Sequence, residues 1–297
     1  MLKQALTLAL LLSSAFMNPV WSQDKKASGA EPEQEAFSYL MPGLFYVSDA
    51  VFMGRRDSVA APYLMPSLGY YHKSGVYAEG SASYLLATGE GRIDLIMVGG
   101  GYQFQKGNFS GNLSGTAYLF NDQSYNVKSE TLGDLTLKLG YDWDWVESTL
   151  SFSSYLNREG DPDYFLGIGF SHSWTALNDR LYLQPGLSLY AGTQRFYEAY
   201  FNSSRMGNRK GTGPGTGLPQ TGSEMVNLEE ASSFEVLNLE LEFPAHYFYR
   251  HFVFSLYPSL SFPQSPVTIE TEEGGVKEDL DPTFYIIAGV SFWVGGS

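Results

Sequence analysis

Cysteine is absent from the chain, which removes a disulfide framework, a thiolate nucleophile, a Cys-ligated metal and a thiol able to carry a lipid anchor. Charge is scarce as well, since Asp, Glu, Lys and Arg make up 17% of the residues, a low share for a soluble secreted domain of this length. Positive charge is the scarcer sign: 18 Lys and Arg stand against 32 Asp and Glu, for a formal net charge of −14. A surface of that sign repels phosphate backbones, so nucleic acid is not an expected partner. Long apolar runs are also missing. The run from Ala5 to Phe16 is too short to cross a bilayer as a helix, and no later stretch approaches the roughly 18 uninterrupted apolar residues such a helix requires.

That first run follows Lys3 and precedes the small-residue site Val20-Trp21-Ser22, which reads as a signal peptide over 1–22. Its cleavage removes Lys3, the only charge in the segment, and takes the net charge from −14 to −15. Residues 23–36 read as a polar periplasmic leader with no capacity to build a core. What the chain does have is 21 Tyr, 20 Phe and 32 Gly. Abundant Tyr, Gly and Ser without long apolar runs suit a membrane barrel, in which only every second residue meets lipid.

Segments of period two recur near 37–48, 61–72, 76–86, 92–105, 109–120, 130–143, 147–156, 163–174, 180–192, 233–243, 251–262 and 283–294. Each is about long enough for a tilted crossing. In 134–143, Leu135, Leu137, Leu139, Tyr141 and Trp143 alternate with Asp134, Thr136, Lys138, Gly140 and Asp142. The split recurs in 181–191 and in 237–243, where Leu237, Leu239, Leu241 and Phe243 oppose Asn238, Glu240 and Glu242. One face suits lipid and the other water. An open sheet edge in hydrocarbon leaves unpaired backbone groups, so the expected fold is all-β: a closed antiparallel transmembrane β-barrel of about twelve strands.

Connection lengths carry the topology. Residues 73–75, 106–108, 144–146, 176–179 and 245–250 are expected as tight periplasmic turns, while 49–60, 193–232 and 263–282 are longer and are assigned to the outside. Trp143, Trp145, Trp174 and Trp293 all fall at expected periplasmic strand ends, as an interfacial aromatic girdle does. Pro42, Pro66, Pro185 and Pro258 lie inside expected strands, where each lacks a ladder donor, and are assigned to bulges that bend the wall.

On these features residues 37–294 resemble bacterial outer-membrane barrel proteins of porin-like build, and the aromatic end Phe292-Trp293-Val294 is similar to the signal that barrel-assembly machinery reads, except that Gly295-Gly296-Ser297 follows it. The resemblance implies outer-membrane lipid, lipopolysaccharide and that machinery as partners, and a bacterial outer-membrane location.

The candidate lumen-lining residues are Glu79, Asp134, Lys138, Asp142, Gln184, Glu240 and Glu242. An acidic polar lining favours cations, so the expected function is a narrow passive channel for small neutral or cationic solutes, with no cofactor and no metal. The alternative is a non-conducting surface barrel whose loops 193–232 and 263–282 bind a partner. Arg205, Arg209 and Lys210 sit in the first of these, placed to meet lipopolysaccharide phosphates or to fold onto the acidic lumen. The acidic residues of 263–282 (Glu278 among them), with Asp161 and Asp163, are expected in solvated outer loops. Outer-membrane phospholipases and lipid A deacylases, similar in strand number, use a His near the outer leaflet. Here His72, His172, His246 and His251 all fall near expected periplasmic ends, which argues against catalysis.

Overall fold

The computed structural model describes residues 37–57, 60–87, 89, 91–202, 231–271 and 274–295. The expected signal peptide, the leader, and Arg205, Arg209 and Lys210 lie outside the described residues.

Twelve strands follow one another around a single antiparallel sheet. They are β1 (Tyr39–Val47), β2 (Tyr63–Tyr71), β3 (Val76–Leu85), β4 (Arg92–Lys106), β5 (Phe109–Phe120), β6 (Thr131–Asp142) and β7 (Glu147–Asn157). Then come β8 (Asp163–Ser171, resuming at Trp174–Ala176), β9 (Leu181–Leu183 and Gly186–Gly192), β10 (Glu235–Glu242 and Ala245–Tyr249), β11 (Phe252–Pro263) and β12 (Thr283–Phe292, continued by Val294–Gly295). The two pieces of β9 keep one register against β10, with Leu183 opposite Ala245 and Gly186 opposite Glu242. β12 returns to β1, pairing Gly43 with Ser291 through Val47 with Ile287, and Leu40 with Val294. The sheet therefore has no free edge.

Alternation along these strands does what period two requires. On the outer face Leu113, Leu119, Leu135, Val98 and Phe284 stand more than half exposed, while Ser114, Asp134, Thr136 and Met97 beside them are buried. An apolar belt on a closed sheet with a polar interior is stable only with hydrocarbon around it. The protein is a bacterial outer-membrane β-barrel.

Short turns occupy one end, the end of both described termini. Gly107-Asn108 joins β4 to β5, and Asp144 (φ 71°) carries the turn into β7. One turn is shifted from its expected place. Pro244 does not end β10, which continues to Tyr249; the reversal occurs at Arg250 (φ 55°) and His251. Pro185 and Pro244 instead interrupt neighbouring strands side by side, and their carbonyls still accept from His172 N (3.1 Å) and Gln184 N (3.0 Å). The other prolines mark similar lapses or tolerate them. The β2–β3 ladder skips from Leu64–Tyr84 to Ser67–Ser81 around Pro66. The β1–β12 ladder is broken between Leu40 and Gly43, at Pro42. Pro258 keeps its place opposite Ile286 and accepts from Phe243 N at 3.0 Å.

A second correction concerns Leu237. The register of β9 on β10 slips between Tyr190 and Ala191, so Tyr190 faces Asn238 and Ala191 faces Val236. Leu237 is the extra residue, and the bulge turns it from the expected lipid face into the interior, where it is 1% exposed.

At the outer end the long connections carry structure of their own. Helix α1 (Arg195–Asn202) opens the 193–232 connection. Asp163, expected in a solvated loop, is instead the first residue of β8 and caps this helix, accepting from Arg195 N at 2.8 Å and Phe196 N at 2.7 Å. The 263–282 connection contains a small hairpin of Thr268–Thr271 and Gly274–Lys277.

The lipid-facing belt makes a depth-dependent prediction. Leu137→Arg, at mid-strand in β6, is expected to cost about 2–4 kcal/mol, and Val76→Arg, at the periplasmic start of β3, about 0–1 kcal/mol. Reversible denaturant titration of the protein in lipid vesicles measures both, and equal costs at the two positions would contradict the assigned belt.

Candidate functional site

Closing twelve strands encloses more space than a sheet of small side chains fills, and the chain fills it unevenly. On the inner side of β1–β3 and β11–β12, large rings pack together: Tyr39 stacks on Tyr71 at 4.9 Å, Tyr71 on Tyr77 at 5.7 Å, and Met41, Phe45, Tyr257, Tyr285 and Ile287 complete the cluster. Phe45 lies flat against the wall because Gly289 has no side chain; a Cβ there would stand 2.2 Å from the ring. The wall of β5–β10 is different. Its inward residues include Asn112, Ser114, Thr136, Thr149, Ser151, Ser153, Ser171 and Ser188, joined by acidic groups.

The seven candidate lining residues all lie on inward positions of the wall, in distinct settings. Asp134, 3% exposed, accepts from Tyr118 Oη at 2.5 Å and from Thr136 Oγ1 at 2.8 Å. Glu240 accepts from Tyr285 Oη and, at 3.2 Å, from Asn238 Nδ2. Gln184 donates to Glu147 Oε2 at 3.3 Å and Ser171 Oγ at 3.1 Å. Lys138 is held electrostatically by Glu242 and Glu147. Glu79 hydrogen-bonds Tyr71 on the aromatic side. Asp142 sits at the periplasmic rim, where it accepts from Asp144 N at 2.8 Å and shapes the turn. Between β7 and β11, Glu147, Gln184, Ser188, Glu242 and Tyr257 border a cavity of about 30 Å³, enough for about two waters.

Sequence reasoning missed Glu147, the first residue of β7, which lies on the inward parity of that strand. It also missed the outer closure. The tip of the 48–62 connection bends inward through a tight turn in which Phe52 and Arg55 exchange two 2.8 Å backbone hydrogen bonds. Phe52 then packs on Phe196 (4.9 Å), Tyr155 (5.2 Å) and Phe165 (5.6 Å), with Tyr197, Tyr200, Val127 and Val267 around them. The signal was present in the amphipathic run Arg195-Phe196-Tyr197-Glu198-Ala199-Tyr200, whose rings are spaced for one helix face.

An ion pair ties these outer segments together. Arg55 Nη2 meets Glu278 Oε2 at 3.2 Å, Gln194 Oε1 at 2.6 Å and the Ser265 carbonyl at 3.0 Å, and its guanidinium lies 5.2 Å from the Tyr197 ring centroid. Tyr197 Oη in turn donates to Glu278 Oε1 at 3.0 Å. Glu278 is therefore not in a solvated loop, as expected, but buried as the counter-charge of Arg55. Burial and the Glu278 carboxylate push the Tyr197 phenol far above its ordinary range, so it stays a donor.

Of the expected girdle, Trp143, Trp145 and Trp174 are more than half exposed at the periplasmic rim. Trp293 is only partly exposed and packs inward on Phe37 and His251. The histidines are dispersed. His72 contacts Ser74 in the β2–β3 turn, His172 lies against the Trp145 carbonyl, and His251 is in the β10–β11 turn. His246, expected in a turn, is an inward residue of β10, wholly buried, with Nδ1 3.0 Å from Ser255 Oγ.

No family model and no curated protein matches the chain. Among solved structures, a KdgM porin is 10% identical and covers 85% of this chain and 98% of its own, with a TM-score of 0.46. A NanC porin is 9% identical over 85% and 98%, with a TM-score of 0.43. LpxR from Salmonella typhimurium is 12% identical over 85% and 99%, with a TM-score of 0.40. Likeness at this level carries no activity across; the barrel assignment stands on the closed hydrogen-bonded sheet and its lipid-facing belt.

Arg55→Ala leaves Glu278 buried without its counter-charge, a loss of about 3–5 kcal/mol for a buried pair. The expected result is faster hydrogen exchange at the Phe52 and Arg55 amides with the folded band on unheated gels unchanged. Unaltered exchange in that variant would show that the pair does not hold the outer segments.

Proposed function

We propose that this outer-membrane barrel is a narrow passive channel for small neutral or cationic solutes, with the polar wall of β5–β10 as the path and the outer aromatic closure as its constriction. The observation that carries the reading is the one-sidedness of the interior. Hydroxyls and glycines keep the wall small, and Asp134, Glu147, Glu240 and Glu242 set a negative potential that Lys138 only partly offsets. Water along such a wall replaces part of a cation's hydration shell, and an anion meets repulsion from the same groups.

The packed outer mouth specifically favours a second reading, a barrel that is silent and presents its outer connections to a partner, with lipopolysaccharide as the surrounding outer-leaflet lipid. Lipid hydrolysis ranks third, since every His lies in the periplasmic half, away from the outer leaflet.

Planar-bilayer recording separates the first two. The channel reading expects discrete, small conductance steps with cation preference in a salt gradient, and a lower preference in Glu147→Gln combined with Glu242→Gln. Silence at several voltages in both wild type and Arg55→Ala eliminates conduction. Binding of a surface partner that vanishes on deleting 193–232 or 263–282, with folding intact, then establishes the second reading.

A further inference from the structure

Lys128 carries a positive charge into the outer half of the lumen, and it comes from the 121–130 connection rather than from the wall. It is fully buried. Its ammonium lies 4.2 Å from the Tyr118 ring centroid, 5.2 Å from that of Phe52 and 5.7 Å from that of Tyr155. All three distances fall within the about 6 Å over which a cation is attracted to a ring face. The rings come from three different parts of the chain: β5, the tip of the 48–62 connection, and β7. Asp134 supplies the counter-charge from β6, oriented by the 2.5 Å bond from Tyr118 and the 2.8 Å bond from Thr136. Backbone geometry holds the lysine in place, since Lys128 N donates to Asn126 Oδ1 at 3.1 Å and Thr131 N to the Lys128 carbonyl at 2.9 Å.

We infer that Phe52, Tyr118, Tyr155 and Asp134 form a binding site for a small organic ammonium ion, and that Lys128 is its tethered occupant. A packing lysine needs no faces turned toward its nitrogen; a hydrocarbon stem buries equally well among edges. Here three π-faces lie around the ammonium and the Asp134 carboxylate adds a favourable electrostatic attraction, the electron-rich surroundings that recognise alkylated amines. Burial lowers the Lys128 pKa while Asp134 opposes the shift, so the charged tether carries a desolvation cost that a freely diffusing cation shares. Taking the lysine away leaves the three rings around an emptied position and Asp134 buried without the lysine's positive charge, an arrangement that draws in a replacement. The inference deepens the channel reading by naming the solute class, an alkylammonium, and by giving the channel a built-in competitor on the outer side.

The test is equilibrium binding of tetramethylammonium and of butane-1,4-diammonium to the refolded, full-length barrel in detergent, followed by calorimetry. Lys128→Met is expected to bind at least one of them about tenfold more tightly than wild type, and adding Tyr118→Leu or Asp134→Asn to that variant is expected to reverse the gain. Lys128→Gln serves as the second neutral variant, scored only where unheated gels show the folded band. Equal binding by wild type and both neutral variants overturns the inference, and so does a gain that survives Tyr118→Leu. Failure of both neutral variants to fold makes Lys128 a structural cation and overturns it too. Because binding is read without conductance, a barrel that binds ammonium but never conducts sinks the channel reading alone.

Discussion

Everything in this protein follows from one constraint: in hydrocarbon, each backbone N–H and C=O must find its partner within the chain. Twelve strands meet it by returning β12 to β1, and the cost of leaving that seam open, several kcal/mol for each unpaired group, is far larger than the cost of local defects. This is why the barrel tolerates prolines in its wall. Each proline removes one donor, yet Pro185, Pro244 and Pro258 still accept hydrogen bonds from neighbouring strands, and the ladder resumes beyond each lapse.

Closure transfers the packing problem to the interior. A water-facing sheet leaves its polar side to solvent, whereas this one encloses a volume that side chains, loops and water have to share. The chain divides it lengthwise, with tyrosine and phenylalanine stacked against β1–β3 and β11–β12 and small hydroxyl groups along β5–β10. It also divides it by depth, since the outer connections turn inward and pack Phe52, Phe165, Phe196 and Tyr197 over the wall. Burying an aromatic closure inside a polar tube needs polar ties, and Arg55 with Glu278, Asp163 with α1, and Asp94 with Tyr63 and Ser124 supply them.

Much of the wall was legible in the residues because a two-residue period is a local property. The alternation in 134–143 places Asp134 and Thr136 inside and Leu135 and Leu137 outside, and the structure agrees residue by residue. Reading failed where parity changes. Leu237 shares the parity of Leu239, Leu241 and Phe243, and only the slip of β9 against β10 turns it inward. Pro244-Ala245 has the composition of a turn, but the register shared with β9 carries the strand on to Tyr249.

The amino-acid order by itself determined the compartment, the strand count, the faces and the alternation of short and long connections, because hydrophobic period and turn chemistry act over a few residues. Only the tertiary structure decided what fills the barrel. Phe52, Lys128 and Glu278 are far apart in sequence from the rings and charges they meet, and no local pattern reports a contact that exists only once the cylinder has closed around it.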